Sequence, residues 1–97
     1  MTETRNAKRF LVSGRVQAVG FRFFAEHVAE KHGVSGYVRN LRDGRVEVYA
    51  VGSAEQLRAI RAELERGPRF ANVSAVAEET AELMPEFLSG FTVEYDA

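Results

Sequence analysis

The residues best suited to chemistry lie in one stretch, Val12-Ser13-Gly14-Arg15-Val16-Gln17-Ala18-Val19-Gly20-Phe21-Arg22. Before it, Phe10-Leu11-Val12 has the β-branched and aromatic bias of a buried strand. After it, Phe21, Phe24, Ala25, Val28 and Ala29 recur at helical spacing. The stretch is therefore a strand–loop–helix junction, with glycine at both ends of the loop. Its backbone N–H groups gather at a helix N-terminus, where the partial positive charge suits an anion, and a phosphate best of all. Arg22, just inside the helix, adds a planar cationic fork that matches phosphate oxygens. The residues alone describe a small phosphate-recognising α/β domain.

The elements that must hold this loop follow in order. Residues 1–7 are polar and read as a flexible N-terminal tail, leaving 8–97 as one domain. Strand one is expected over Lys8–Ser13 and helix one over Phe21–Lys31, with Gly33 as a left-handed terminator. His27 and His32 read as surface histidines near the end of that helix. Strand two covers Ser35–Leu41, and Asp43-Gly44 between alternating runs signals a hairpin into strand three, Arg45–Val51. Val46, Val48 and Ala50 share one face of strand three; Glu47, Tyr49 and Val51 share the other. Ser53-Ala54-Glu55-Gln56 is a capping box opening helix two, Ala54–Arg66, which Gly67-Pro68 stops. Strand four is expected over Asn72–Glu79, a loop broken by Pro85 over Thr80–Leu88, and a final edge strand over Phe91–Tyr95.

The order β-α-β-β-α-β, with that short fifth strand, is an α+β, ferredoxin-like two-layer sandwich: an antiparallel sheet with two helices on one face. Right-handed crossovers put strands one and three side by side in the middle and the start of strand two at an edge. This fold hosts many functions and does not choose among them.

Composition narrows the choice. Ninety-seven residues suffice for one core and not for two. The absence of cysteine excludes disulfides, thiolate metal sites and cysteine nucleophiles. No apolar run reaches the length of a membrane span and the polar start is no signal peptide, so a cytoplasmic protein without membrane contact is expected. The net charge of −1 hides an asymmetry: nine Lys and Arg against three Asp and Glu between Arg5 and Arg45, then four against ten. The basic half contains the loop and would draw in an anion. A nucleic-acid binder is usually basic throughout, which this chain is not.

A second stretch, Gly36-Tyr37-Val38-Arg39-Asn40-Leu41-Arg42-Asp43-Gly44-Arg45-Val46, closes at Gly52. Together with the first, and with Gly67-Pro68 and Phe91-Thr92-Val93 further on, it resembles the acylphosphatase family from about Lys8 to Tyr95. The resemblance implies hydrolysis of acyl phosphates, which are carboxyl–phosphate mixed anhydrides, to a carboxylate and inorganic phosphate, without metal or cofactor. By position, the family's substrate-binding arginine falls on Arg22 and its water-positioning asparagine on Asn40. Its phosphate cradle falls on the backbone of Arg15, Val16, Gln17, Ala18, Val19 and Gly20. A small-molecule acyl phosphate is then the partner, no nucleic acid or membrane is involved, and a monomer is expected.

The chemistry agrees. Phosphoryl transfer needs mainly positioning and stabilisation of the equatorial oxygens. A carboxylate leaving group has a conjugate acid of pKa roughly 4 and needs no general acid. Asn40 can accept from and donate to a water, orienting it, but is no base.

One departure concerns Ala18, where the family usually has Gly or sometimes His. If the backbone there needed a positive φ, Ala would cost roughly 1–2 kcal/mol; a negative φ is expected, with the cradle intact. The loop is neither a Walker P-loop nor a dinucleotide fingerprint. Three alternatives share the fold. An RNA-recognition module would stack bases on strand aromatics such as Tyr49, but the Gly-Phe-Gly-Phe run of that module is missing. A regulatory small-ligand module and a phosphate binder without turnover complete the set.

Overall fold

A computed structural model describes residues 4–96. The chain forms β1 (Asn6–Arg15), α1 (Phe21–His32), β2 (Ser35–Asn40), β3 (Val46–Gly52), α2 (Ala54–Arg66), β4 (Asn72–Ala81), a 3-10 turn (Pro85–Phe87) and β5 (Phe91–Val93). The predicted elements are all present, most of them with ends shifted by one or two residues. β1 takes in Asn6 and Ala7, which the polarity of the first seven residues assigned to the tail; Ala7 is buried beneath the later chain. Of the expected tail, residues 1–3 lie outside the described residues.

The sheet order is β4-β1-β3-β2-β5. β1 pairs antiparallel with both β3 and β4, and β2 pairs antiparallel with β3. The expected adjacency of strands one and three is observed. The sheet is not wholly antiparallel, however: β5 runs parallel to β2, Gly36 opposite Phe91 and Val38 opposite Val93. β4 ends opposite Ala7, at the sheet end where β2 begins. The chain crosses there without traversing the sheet's length, so β5 must run in the direction of β2. It also covers β2, which is therefore internal rather than an edge.

α1 and α2 pack on one face. Their buried stripes, Phe21, Ala25, Val28 and Ala29 on α1 and Leu57, Ile60 and Leu64 on α2, meet Phe10, Val12, Val38, Val46, Val48 and Ala50 of the sheet. The two helices are tied end to start, since the Gln56 side chain closes the α2 capping box and donates from Nε2 to the His32 carbonyl at 2.9 Å.

The other face is closed by the crossing segment. Met84, Phe87 and Leu88 pack on Ala7, Tyr37, Tyr49 and Val51. Tyr49 is fully buried; its hydroxyl donates to the Glu82 carbonyl at 2.6 Å and accepts from the Met84 N–H at 2.9 Å. Beside it Glu47 is buried between the guanidiniums of Arg9, at 2.8 Å, and Arg39, at 2.5 Å. A buried carboxylate is tolerable only when paired in this way. A tyrosine so enclosed cannot stack on a base, which removes the feature that favoured RNA.

Candidate active site

At one end of the sheet β1 finishes, α1 starts and β2 finishes. β1 reaches this end through a bulge between Ser13 and Gly14 against β4. Gly14 has φ 118°, and a Cβ there would lie 2.2 Å from the Asn72 carbonyl oxygen, so only glycine fits. The bulge turns the chain into the 15–20 loop.

Two side chains fix that loop. Val16 is buried in the core, and Gln17 Nε2 donates to the carbonyls of Leu41 (2.7 Å) and Arg45 (3.0 Å) in the β2–β3 turn. That turn is itself closed by Asp43, which accepts from the Arg45 backbone N–H and guanidinium; these bonds hold its carboxyl below the ordinary value. Gln17 thus clips the loop to the strand end that carries Asn40. The family pattern assigned Gln17 only a backbone role; its side-chain role depends on the approach of two segments distant in sequence.

Ala18 has φ 60°, against the expected negative value, and it is the one non-glycine residue with positive φ among those described. The loop must reverse between the buried Val16 and the helix start, and this residue absorbs the reversal. Left-handed backbone costs an alanine about 1–2 kcal/mol, and it persists because its neighbours over-determine the conformation.

The loop ends at Gly20, whose φ of 77° makes it an N-cap with no side-chain hydrogen bond. The first α1 amides are thus left without a side-chain cap. Arg22 and Asn40 come together here with Val16, Ala18, Gly20, Phe21 and Phe23 around a cavity of about 90 Å³. Asn40 is 8 % exposed, at the last position of β2, and no hydrogen bond within the described residues engages its side-chain amide. The Arg22 guanidinium donates from Nη1 to Asp96 Oδ1 at 3.0 Å. Asp96 follows β5, which ends at this same end of the sheet; that placement is invisible without the topology.

Not every residue of the expected cradle lines the cavity. Val16, Ala18 and Gly20 do; Arg15 stays in β1 opposite Asn72, Gln17 turns toward the hairpin, and Val19 packs against the core margin. The arrangement offers a cation, a neutral donor–acceptor and uncapped helix amides around a space the size of a phosphoryl group. Among the described residues no group of three or more His, Cys, Asp or Glu could hold a metal ion.

Comparison with known proteins gives the family of the chain. The acylphosphatase family model matches residues 8–93. An acylphosphatase of Koribacter versatilis is 52% identical over 84% of this chain and 74% of its own length. One of Pasteurella multocida is 49% identical over 91% of this chain and 97% of its own. The crystal structure of acylphosphatase from Bacillus subtilis superposes with a TM-score of 0.87 at 32% identity, covering 95% of this chain and all of that one. On the family match and these identities, the chain belongs to the acylphosphatase family.

Proposed function

We propose that the chain hydrolyses acyl phosphates at this cavity, with Arg22 and Asn40 in the two active roles. The observation that carries the reading is the convergence of Arg22, Asn40 and the loop on one phosphoryl-sized space. The phosphoryl group sits against the uncapped amides of the loop and the α1 start, and Arg22 leaves Asp96 to take its oxygens. Asn40 accepts a hydrogen bond from the attacking water and holds it in line. The water oxygen bonds to phosphorus as the bond from phosphorus to the bridging oxygen breaks. The carboxylate departs with that electron pair, and the proton of the water passes to a phosphate oxygen. No side chain has to act as acid or base, because a carboxylate of pKa roughly 4 leaves unaided. Catalysis is then positioning and electrostatic stabilisation.

The deciding experiment follows benzoyl phosphate hydrolysis by ultraviolet absorbance in the presence of EDTA for wild type, Arg22→Ala and Asn40→Ala. Turnover in wild type and its loss in both variants, with Asn40→Ala still binding inorganic phosphate, is expected. A folded wild type that binds phosphate without turnover would make the domain a binding module. A pH profile demanding an enzyme base near neutrality would overturn the proton route. We further propose a cytoplasmic monomer; light scattering in solution checks the oligomeric state.

A further inference from the structure

The cavity holds about 90 Å³, and a water takes roughly 30 Å³ in the liquid. A phosphoryl group fills it, so the acyl part of the substrate must lie outside, at the mouth. Of the large apolar residues lining the cavity, Val16 and Phe21 are 1% and 2% exposed and belong to the core. Phe23 is different: it lines the same cavity yet is 71% exposed. It lies off the buried stripe of α1 and takes part in none of the ring–ring contacts among the described residues. Packing therefore does not explain an aromatic residue at this position, one step from Arg22. On another side of Arg22 the surface is acidic, formed by Glu94 and Asp96 with Tyr95.

We propose that Phe23 is a specificity-determining residue whose ring receives the acyl group, so that the preferred substrates carry an uncharged, apolar and above all aromatic acyl moiety. The inference rests on the hydrolysis proposed above and extends it to a substrate class. A flat aromatic acyl group gains contact area and ring–ring attraction on Phe23, whereas an acetyl group is too small to gain much. An acyl group bearing its own carboxylate would meet Glu94 and Asp96, and like charges disfavour it.

The test measures kcat/KM on benzoyl phosphate and acetyl phosphate for wild type, Phe23→Ala and Phe23→Tyr. The readout is the benzoyl-to-acetyl ratio relative to wild type, which cancels the intrinsic reactivity of the two anhydrides. Phe23→Ala should lower that ratio roughly tenfold, by loss on benzoyl phosphate alone, and Phe23→Tyr should restore it. Alanine is a good helix former at this exposed position, so folding should survive, as circular dichroism checks. An unmoved ratio, or an equal fall on both substrates, would overturn the assignment while leaving hydrolysis standing. A wild type inactive on both would instead remove the hydrolysis reading, and this inference with it.

Discussion

The two helices begin in opposite ways. α2 starts at Ser53, extended at φ −71°, with both bonds of the capping box made and Glu55 in the first turn. A side-chain cap, its reciprocal bond and a favourable charge for the helix dipole are all present. α1 starts at Gly20, left-handed, with no side-chain cap, no acidic residue in the first turn, and a cation, Arg22, as its second residue. A positive charge at the positive end of a helix is unfavourable by about 0.3–1 kcal/mol. The strained Ala18 lies two residues before it. One start is completed by its own side chains; the other is left without a side-chain cap. On the proposed function, the uncapped amides, the cation and the strain are together the cost of a phosphate site.

Breaking the α1 start should therefore have a large effect on function and a small one on stability. For Arg22→Ala we expect kcat/KM to fall by at least about 10²–10³, the scale of losing one preorganised stabilising group. Inorganic phosphate at a hundredfold its wild-type Kd should stabilise wild type by about 2.7 kcal/mol, and the variant scarcely at all. Without phosphate, urea unfolding should differ by less than about 1 kcal/mol, since relief at the helix dipole offsets loss of the exposed Asp96 pair. A variant that unfolded several kcal/mol more readily would make Arg22 structural.

The reverse holds at α2. Ser53→Ala removes the acceptor for the Gln56 N–H and should cost about 1 kcal/mol. For a domain of this size that lowers the thermal midpoint by about 4–8 °C. Kinetics below the transition should be unchanged. Loss of turnover in a still-folded Ser53→Ala would mean that the two starts are not independent.

Both starts differ in how legible they were. The α2 cap is local, four consecutive residues with a fixed hydrogen-bond geometry, and Ser53-Ala54-Glu55-Gln56 declares it outright. The meeting of Arg22 and Asn40 at one cavity is legible because each sits in a motif at an element boundary, the start of α1 and the end of β2. Three features were not. Gln17 reaches carbonyls 24 and 28 residues away, and Asp96 reaches Arg22 across 74, so their roles depend on the topology. The direction of β5 follows from where β4 ends, which alternation of side chains does not encode. The sign of φ at Ala18 goes against alanine's intrinsic preference because its neighbours, the buried Val16 and the clipped Gln17, constrain the loop.

Ala18→Gly tests that last point. Relief of left-handed strain is worth about 1–2 kcal/mol, and the added freedom of glycine in the unfolded chain takes back about 0.4–1. A net gain of up to about 1.5 kcal/mol by chemical denaturation is expected, with kcat/KM held or slightly raised. A loss of stability would show that the loop relaxes to negative φ in solution.

The smallest expected effect concerns Asp96. Its carboxylate pairs with the Arg22 guanidinium, so on the proposed role of Arg22 it would compete with phosphate without touching the reacting atoms. The pair is open to solvent on both sides, and exposed pairs are worth about 0–1 kcal/mol. Asp96→Asn should therefore lower the Kd for inorganic phosphate by about twofold, and fivefold at most, with kcat unchanged. The gap between variant and wild type should narrow as added salt weakens the pair. Weaker phosphate binding in Asp96→Asn would reverse the reading: Asp96 would then hold Arg22 in the pose that phosphate requires, and the α1 start would be better prepared for its ligand than its missing cap suggests.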